Sequence, residues 1–338
     1  MINRAECAYN SSFIIQTFMS PRRRPGRRLI KALLPIALLL ILAAVGMTVW
    51  LVNSAAHPPQ HPYLVTPEKF EVLSHRGLKV AEESWVNSDG TQARGWVLRG
   101  TEGSPAVVLL HRYGADRSWL LNLGVKLNEA TGFTVLWPDL RGHGLNPPVA
   151  TSSFGSREGE DLRSAIEHLR GLRTQQDKPL VGNRVGLYGV ELGAYAALLA
   201  AARDSQVRAL ALDSVPASPD ALLYSTVRSS TGFDNGLVRS LASTGMRLYS
   251  LGSYDNTPAC EAASGLKGTQ ALLLAGEDAP HLRDSTAALA RCFPDQFKVE
   301  TLTDLPLTGF TLASAPGEQG ELYDRRVIEF FDRTLQPQ

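Results

Sequence analysis

Gly189-Val190-Glu191-Leu192-Gly193 stands between a β-rich run, Arg184 to Tyr188, and a run of small helix-forming residues, Ala194 to Ala201. A strand, a turn framed by two glycines and a helix make up the G-x-S-x-G layout that lifts a nucleophile out of a sheet. Such a turn strains its middle residue, and strand and helix nearly collide around it, so the flanking positions must lack bulk. Gly189, Gly193, Ala194 and Ala196 meet that need. The middle residue, however, is Glu191. The turn that would aim a serine is present and the serine is not.

Other residues with chemical reach are few. His281 lies three residues after Asp278 and is the available substitute base, against a surface or structural role. His111 and His143 sit in loops they would brace, His168 sits in a helix, and His57, His61 and His75 lie ahead of the main domain or in its first segment. No pair has metal-ligand spacing in a credible site, so no metal and no cofactor are expected. Asp213-Ser214 ends a strand, with the serine read as a turn residue. Cys260 and Cys292 would close a loop of roughly 30 residues if oxidised, or remain two buried thiols.

The elements that must position these residues begin with a hydrophobic segment. Residues 29–52 read as a transmembrane helix whose uncharged part, Ala32 to Val52, would span ~31 Å at 1.5 Å per residue, enough for a hydrocarbon core of ~30 Å. Trp50 stands where an interfacial aromatic belongs. Arg22, Arg23, Arg24, Arg27, Arg28 and Lys31 precede or open it, and the next cation is Lys69, which places a basic tail (1–28) in the cytoplasm and the rest outside. A cleaved signal peptide ending at Ala56 is the competing reading, although its apolar run is long for that role, and Arg27-Arg28 faintly suggests a twin-arginine signal. Residues 53–68, with Pro58, Pro59, Pro62 and Pro67, read as a stalk.

Residues 69–338 read as one α/β domain. β-like runs at Phe70 to Leu73, Ala81 to Val86 and Ala93 to Leu98 give way to apolar strands alternating with helices: strands at Ala106 to Leu110, Phe133 to Trp137, Val207 to Leu212, Ala271 to Leu274 and Phe297 to Leu302. That rhythm predicts a mostly parallel sheet with helices on both faces and sites at the carboxyl ends of strands. The interval of about 215–268 is too long for a simple connection and carries helical patterns at Leu222 to Val227 and Leu237 to Leu251, which predicts a lid. A net charge of +1 over 338 residues gives no electrostatic footprint for nucleic acid.

Four features in order make residues 70–335 resemble the α/β-hydrolase superfamily, nearest to its acyl-peptidase, serine-aminopeptidase and lipase-like branches. They are Val107 to Gly114, similar to the strand and His-Gly loop that supply an oxyanion-hole amide; Asp139-Leu140-Arg141-Gly142-His143-Gly144, similar to D-x-R-G-H-G; the elbow; and Gly276-Glu277-Asp278, similar to the loop of the triad acid. The resemblance implies a Ser-His-Asp triad and an oxyanion hole, with Asp278 at the acid position and Arg112 and Leu192 at the oxyanion positions. The departures fall on the chemistry. Glu191 replaces the nucleophile, Phe310 in Leu307-Thr308-Gly309-Phe310 replaces the histidine, and Arg112 replaces a glycine. Relatives with aspartate at the elbow still need a histidine to release their ester intermediate.

Three functions follow. The first is a membrane-anchored hydrolase-fold protein that has lost catalysis and binds a small acyl or peptide-like ligand or an envelope protein. The second is an active hydrolase of esters or amides using Glu191, Asp278 and His281. The third is a purely structural role with a filled pocket. A charge-assisted pair between Glu191 and Arg112, within ~4 Å, is the expected filling.

Overall fold

The computed structural model describes residues 25–74, 77, 79–311 and 317–336, and within them all side chains but those of 25–30, 73 and 74. Cys7, Arg22, Arg23, Arg24 and His75 lie outside these residues. The chain divides at Gly46 into two units. The first is helical from Pro25, and from Lys31 its apolar side chains are exposed. Lys31–Ala56 is long and apolar enough to cross a membrane.

The second unit takes in the last turns of that helix, α1 (Pro25–Ala56). The helix continues past the expected end at Val52, and Leu51, Val52, Ala55 and Ala56 are buried in the domain core. The segment read as a stalk is held along its length as well. The Ala56 carbonyl accepts the Ser152 amide at 2.8 Å, Tyr63 Oη donates to Asp139 at 2.7 Å, and the Leu64 amide donates to Ser118 Oγ at 2.9 Å. Its prolines keep it extended by removing amides, and these three bonds tie it to the domain while residues 59–62 stay exposed. Phe70 to Leu73, expected as a strand, lies in α2 (Pro67–Ser74). Pro67 at the first helical position and Glu68 in the first turn favour a helix start there, and they outweigh the β-propensity of Phe70 and Val72.

Eight strands form one sheet in the order β1-β2-β4-β3-β5-β6-β7-β8. β1 (Val80–Val86) and β2 (Gln92–Leu98) pair antiparallel across an Asn87 to Thr91 turn, and β2 pairs antiparallel with β4 (Thr134–Pro138). β3 (Ser104–Leu110), β5 (Val181–Val190), β6 (Val207–Asp213), β7 (Gln270–Gly276) and β8 (Val299–Leu305) run parallel with β4. The central strands are apolar on both faces because helices cover both. Ala106, Val108 and Leu110 of β3 enter one core with α4 (Ser156–Gly171) and α5 (Leu192–Arg203), and Val107 and Leu109 enter the other. The second face is covered by α3 (Leu121–Thr131) and the terminal helix.

Between β6 and β7 the chain makes α6 (Pro219–Thr231), α7 (Gly236–Tyr249) and α8 (Ala259–Ser264). α9 (Pro280–Leu289) and α10 (Glu318–Leu335) complete the fold. Cys260 and Cys292 form a disulfide, with Cα atoms 5.1 Å apart, tying α8 to the turn after α9.

Candidate active site

β5 ends directly on Glu191, which opens α5 with φ 49° and ψ −105°, a strained conformation for a residue with a side chain. The glycines explain how the turn closes. A Cβ on Gly189 would sit 2.4 Å from the Gly193 carbonyl carbon, and one on Gly193 would sit 2.4 Å from the Leu110 carbonyl oxygen. Strand, turn and neighbouring strand meet backbone to backbone, so the elbow is built as for a nucleophile.

The glutamate does not reach outward. Glu191 is 6% exposed, and its Oε2 accepts the backbone N–H of Tyr113 at 3.0 Å. Burial pushes its pKa up to about 7, opposed by the Arg112 charge and by the Tyr113 amide. Tyr113 is one residue beyond Arg112, the position expected to face the oxyanion. The amide that faces the elbow is therefore Tyr113's, and the group it meets is the Glu191 carboxylate. Leu192, the other expected oxyanion position, follows as the first, fully buried residue of α5.

Among the described residues, no ion pair within 4.0 Å joins Arg112 to Glu191, which corrects the expected filling. The Arg112 guanidinium lies 4.7 Å from the centroid of Trp119 and 5.0 Å from that of Phe310, between the two rings. Its Nη1 donates to the Tyr113 carbonyl at 3.0 Å. Aromatic faces thus hold the cation, and it acts on Glu191 through space. Phe310, read from the sequence as standing where a histidine was expected, is in this way a wall for Arg112.

The loop carrying Phe310 is fixed by two carboxylates. Asp278 accepts the Thr308 amide at 3.0 Å, Thr308 Oγ1 at 3.1 Å and Thr311 Oγ1 at 2.6 Å. The hydrogen-bond partners of Asp278 among the described residues are thus threonines. Asp213, fully buried, accepts the Gly309 amide at 2.6 Å, Ser214 Oγ at 2.8 Å and the Tyr323 hydroxyl, which also contacts the Tyr188 hydroxyl at 2.8 Å. Burial pushes Asp213 up to about 7. A Cβ on Gly309 would lie 2.2 Å from Tyr188 Oη, so only glycine fits beneath this network.

His281 stands at the start of α9, edge-on to Phe310 with ring centroids 6.0 Å apart. Burial and the Arg228 charge lower its pKa. It is thus beside the loop of the missing base, while the partners of Asp278 are Thr308 and Thr311.

The motif histidines brace loops, as their positions suggested. His111 Nε2 accepts the Leu140 amide at 3.0 Å, so its Nδ1 donates to the Arg112 carbonyl at 2.8 Å. Burial lowers its pKa to about 4, so it is neutral at pH 7. His143 Nδ1 bonds the Arg141 carbonyl at 2.8 Å. Its ring meets the edge of Tyr113, which stacks on Phe154 at 5.6 Å. Tyr113 Oη donates to the Ala55 carbonyl at 2.7 Å, and Pro59 lies over Gly114. The end of α1 and the chain after it therefore lie on the loop that holds Glu191.

Sequence reasoning missed Tyr113, Trp119, Thr308, Thr311 and Tyr323. Tyr113 was within reach, since it follows the His111-Arg112 pair. Tyr323 comes from a distant helix and left no local signal.

The fold is that of the α/β hydrolases. No family model matches the chain. It is similar to the polyketide transferase grgF of a Penicillium species, 30% identical over 134 residues, which is 39% of this chain and 44% of that protein. It is also similar to the thiohydrolase aneE of Aspergillus aculeatus, 26% identical over 129 residues, 38% of this chain and 39% of the relative. Each match spans less than half of the relative's length. Among solved structures, the esterase Pf2001 of Pyrococcus furiosus superposes with a TM-score of 0.56 at 20% identity, covering 83% of this chain and 100% of the esterase.

Proposed function

We propose that the protein is a membrane-anchored α/β-hydrolase-fold protein that has given up hydrolysis at its elbow and works by binding. A filled elbow favours an envelope protein over a small acyl or peptide-like ligand as its partner. One observation carries the reading: the carboxylate at the nucleophile position is turned onto the amide that would stabilise an oxyanion. Acyl transfer needs that amide free, a nucleophile in reach of the carbonyl carbon and a base beside it. Threonine contacts at Asp278 and an aromatic ring at Phe310 support the same conclusion.

Anchorage is supported by the burial of Leu51, Val52, Ala55 and Ala56. A cut after Ala56 would take these residues out of the core, so the helix reads as retained rather than as a cleaved signal. The basic side of the segment and the Cys260–Cys292 disulfide support an extracytoplasmic domain with the N-terminus in the cytoplasm.

The alternative, hydrolysis through Glu191, Asp278 and His281, draws on one fact: a carboxyl pushed up to about 7 is suited to moving protons at neutral pH. Turnover of short- and medium-chain aryl esters by the detergent-solubilised full chain, beside Glu191→Gln and a heat-killed sample, separates the two. The expected result is no turnover above the killed control. Turnover abolished by Glu191→Gln would overturn the binding reading.

A further inference from the structure

We propose that α7 lies on the membrane surface, in the headgroup layer of the leaflet from which α1 emerges, and holds the inserted helices there. This rests on the membrane-anchor reading above.

The inserted region carries an unusual concentration of exposed large apolar side chains. Phe233, Leu237, Leu248, Tyr249 and Leu251 are all exposed, Leu248 at 72% and Leu251 at 93%. α7 is a true helix, opened by Asn235 Oδ1 accepting the Val238 amide at 3.0 Å. It buries Ala242, Gly245 and Met246 on one side. Leu237 and Leu248 are eleven residues apart, close to three full turns, so they share a second stripe that includes the half-buried Leu241. Two apolar stripes on one helix, only one of them buried, mean that the second meets something other than water.

The position of α7 along α1 says what that is. A Cβ on Gly245 would lie 2.5 Å from Thr48 Cγ2 and 2.7 Å from Val52 Cγ2, so α7 crosses α1 closely at these two residues. Counted along α1, the apolar stretch from Ala32 to Trp50, exposed but for Thr48, is about 19 residues, ~28 Å, close to the thickness of a hydrocarbon core. The membrane boundary therefore falls at Trp50, an exposed interfacial tryptophan between the two crossing residues. A helix that crosses there, with leucines exposed beside the crossing, is at headgroup depth. Arg228, Arg239 and Arg247 pair with Asp234 and Asp220, and with Lys267, Asp255 and Glu261 the inserted region is neutral, so no net negative charge opposes an anionic leaflet.

The test places an environment-sensitive fluorophore on single cysteines in the full chain, with Cys7→Ser and the native disulfide intact, reconstituted in phosphatidylcholine vesicles containing phosphatidylglycerol. Sites are Leu42→Cys in the span, Leu248→Cys and Leu251→Cys in the proposed surface, and Lys267→Cys, exposed before β7 at the opposite edge of the sheet. The expected result is severalfold stronger quenching by headgroup-level nitroxide lipid at 248 and 251 than at 267, with shielding from aqueous iodide. Iodide access at 248 and 251 equal to that at 267, with Leu42→Cys still quenched by deep nitroxide, overturns this proposal and spares the anchor. Leu42→Cys open to iodide overturns both. Shielding at 248 that rises with protein density and is unaffected by nitroxide lipid also overturns it, because the surface is then covered by a second copy of the chain.

Discussion

The Glu191 carboxylate accepts the Tyr113 backbone amide at 3.0 Å, and the phenol of the same tyrosine donates to the Ala55 carbonyl at 2.7 Å. One residue thus joins the elbow to the last turn of the apolar helix.

Restoring chemistry should require more than one change. Glu191→Ser alone returns a hydroxyl to the elbow and leaves it without a base, so ester turnover stays at background. Combined with Phe310→His beside the intact Asp278, it should give turnover measurable above the killed control. A single Glu191→Ser protein that turns over would show that another base serves the site.

Glu191 sets a pH dependence of stability. Its folded pKa, about 7, is raised above its ordinary value of 4.5, so the folded state holds a proton that the unfolded state has lost between these values. Stability therefore falls as pH rises from about 4.5 to about 7 and levels off above, by up to about 3 kcal/mol from this group. Asp213, raised for the same reason, adds a decline over a similar window. In denaturant titrations, Glu191→Gln should flatten the Glu191 part and leave the Asp213 part.

Tyr113→Phe removes the bond to Ala55 and leaves a buried carbonyl without its donor. The expected loss is about 1–3 kcal/mol, with faster amide exchange in residues 51–56 than elsewhere. An unchanged exchange rate there would mean that the phenol is not what holds the end of α1.

Reduction of Cys260–Cys292, 32 residues apart, should cost about 3–4 kcal/mol in the chain-entropy picture. It should appear as a lower unfolding midpoint in reductant, absent from a Cys260→Ser/Cys292→Ser protein.

Much of the fold was legible because its signals are local. Short apolar runs such as Val107 to Leu110, bounded by turn residues, read as strands buried on both faces, and Gly189 and Gly193 mark an approach so close that a Cβ on either would lie 2.4 Å from backbone. The expected filling by an Arg112–Glu191 ion pair was not found, because side-chain direction is set by distant groups. Trp119 and Phe310, far apart in sequence, capture the guanidinium and leave the carboxylate to an amide. The contacts that residues 53–68, read as a stalk, make with the domain were hidden for the same reason. Proline content reports local stiffness and says nothing of a groove between Gly114, Gly142 and Ser152 waiting for that chain.

The crossing of Thr48 and Gly245 also has a consequence for biosynthesis. The two residues are roughly 200 positions apart, and at ~5–20 residues per second the helix waits roughly 10–40 s for its partner. During that interval Leu51, Val52, Ala55 and Ala56 have no core to enter. The end of α1 is thus made early and packed late, because its burial waits for core residues that follow it by up to roughly 200 positions.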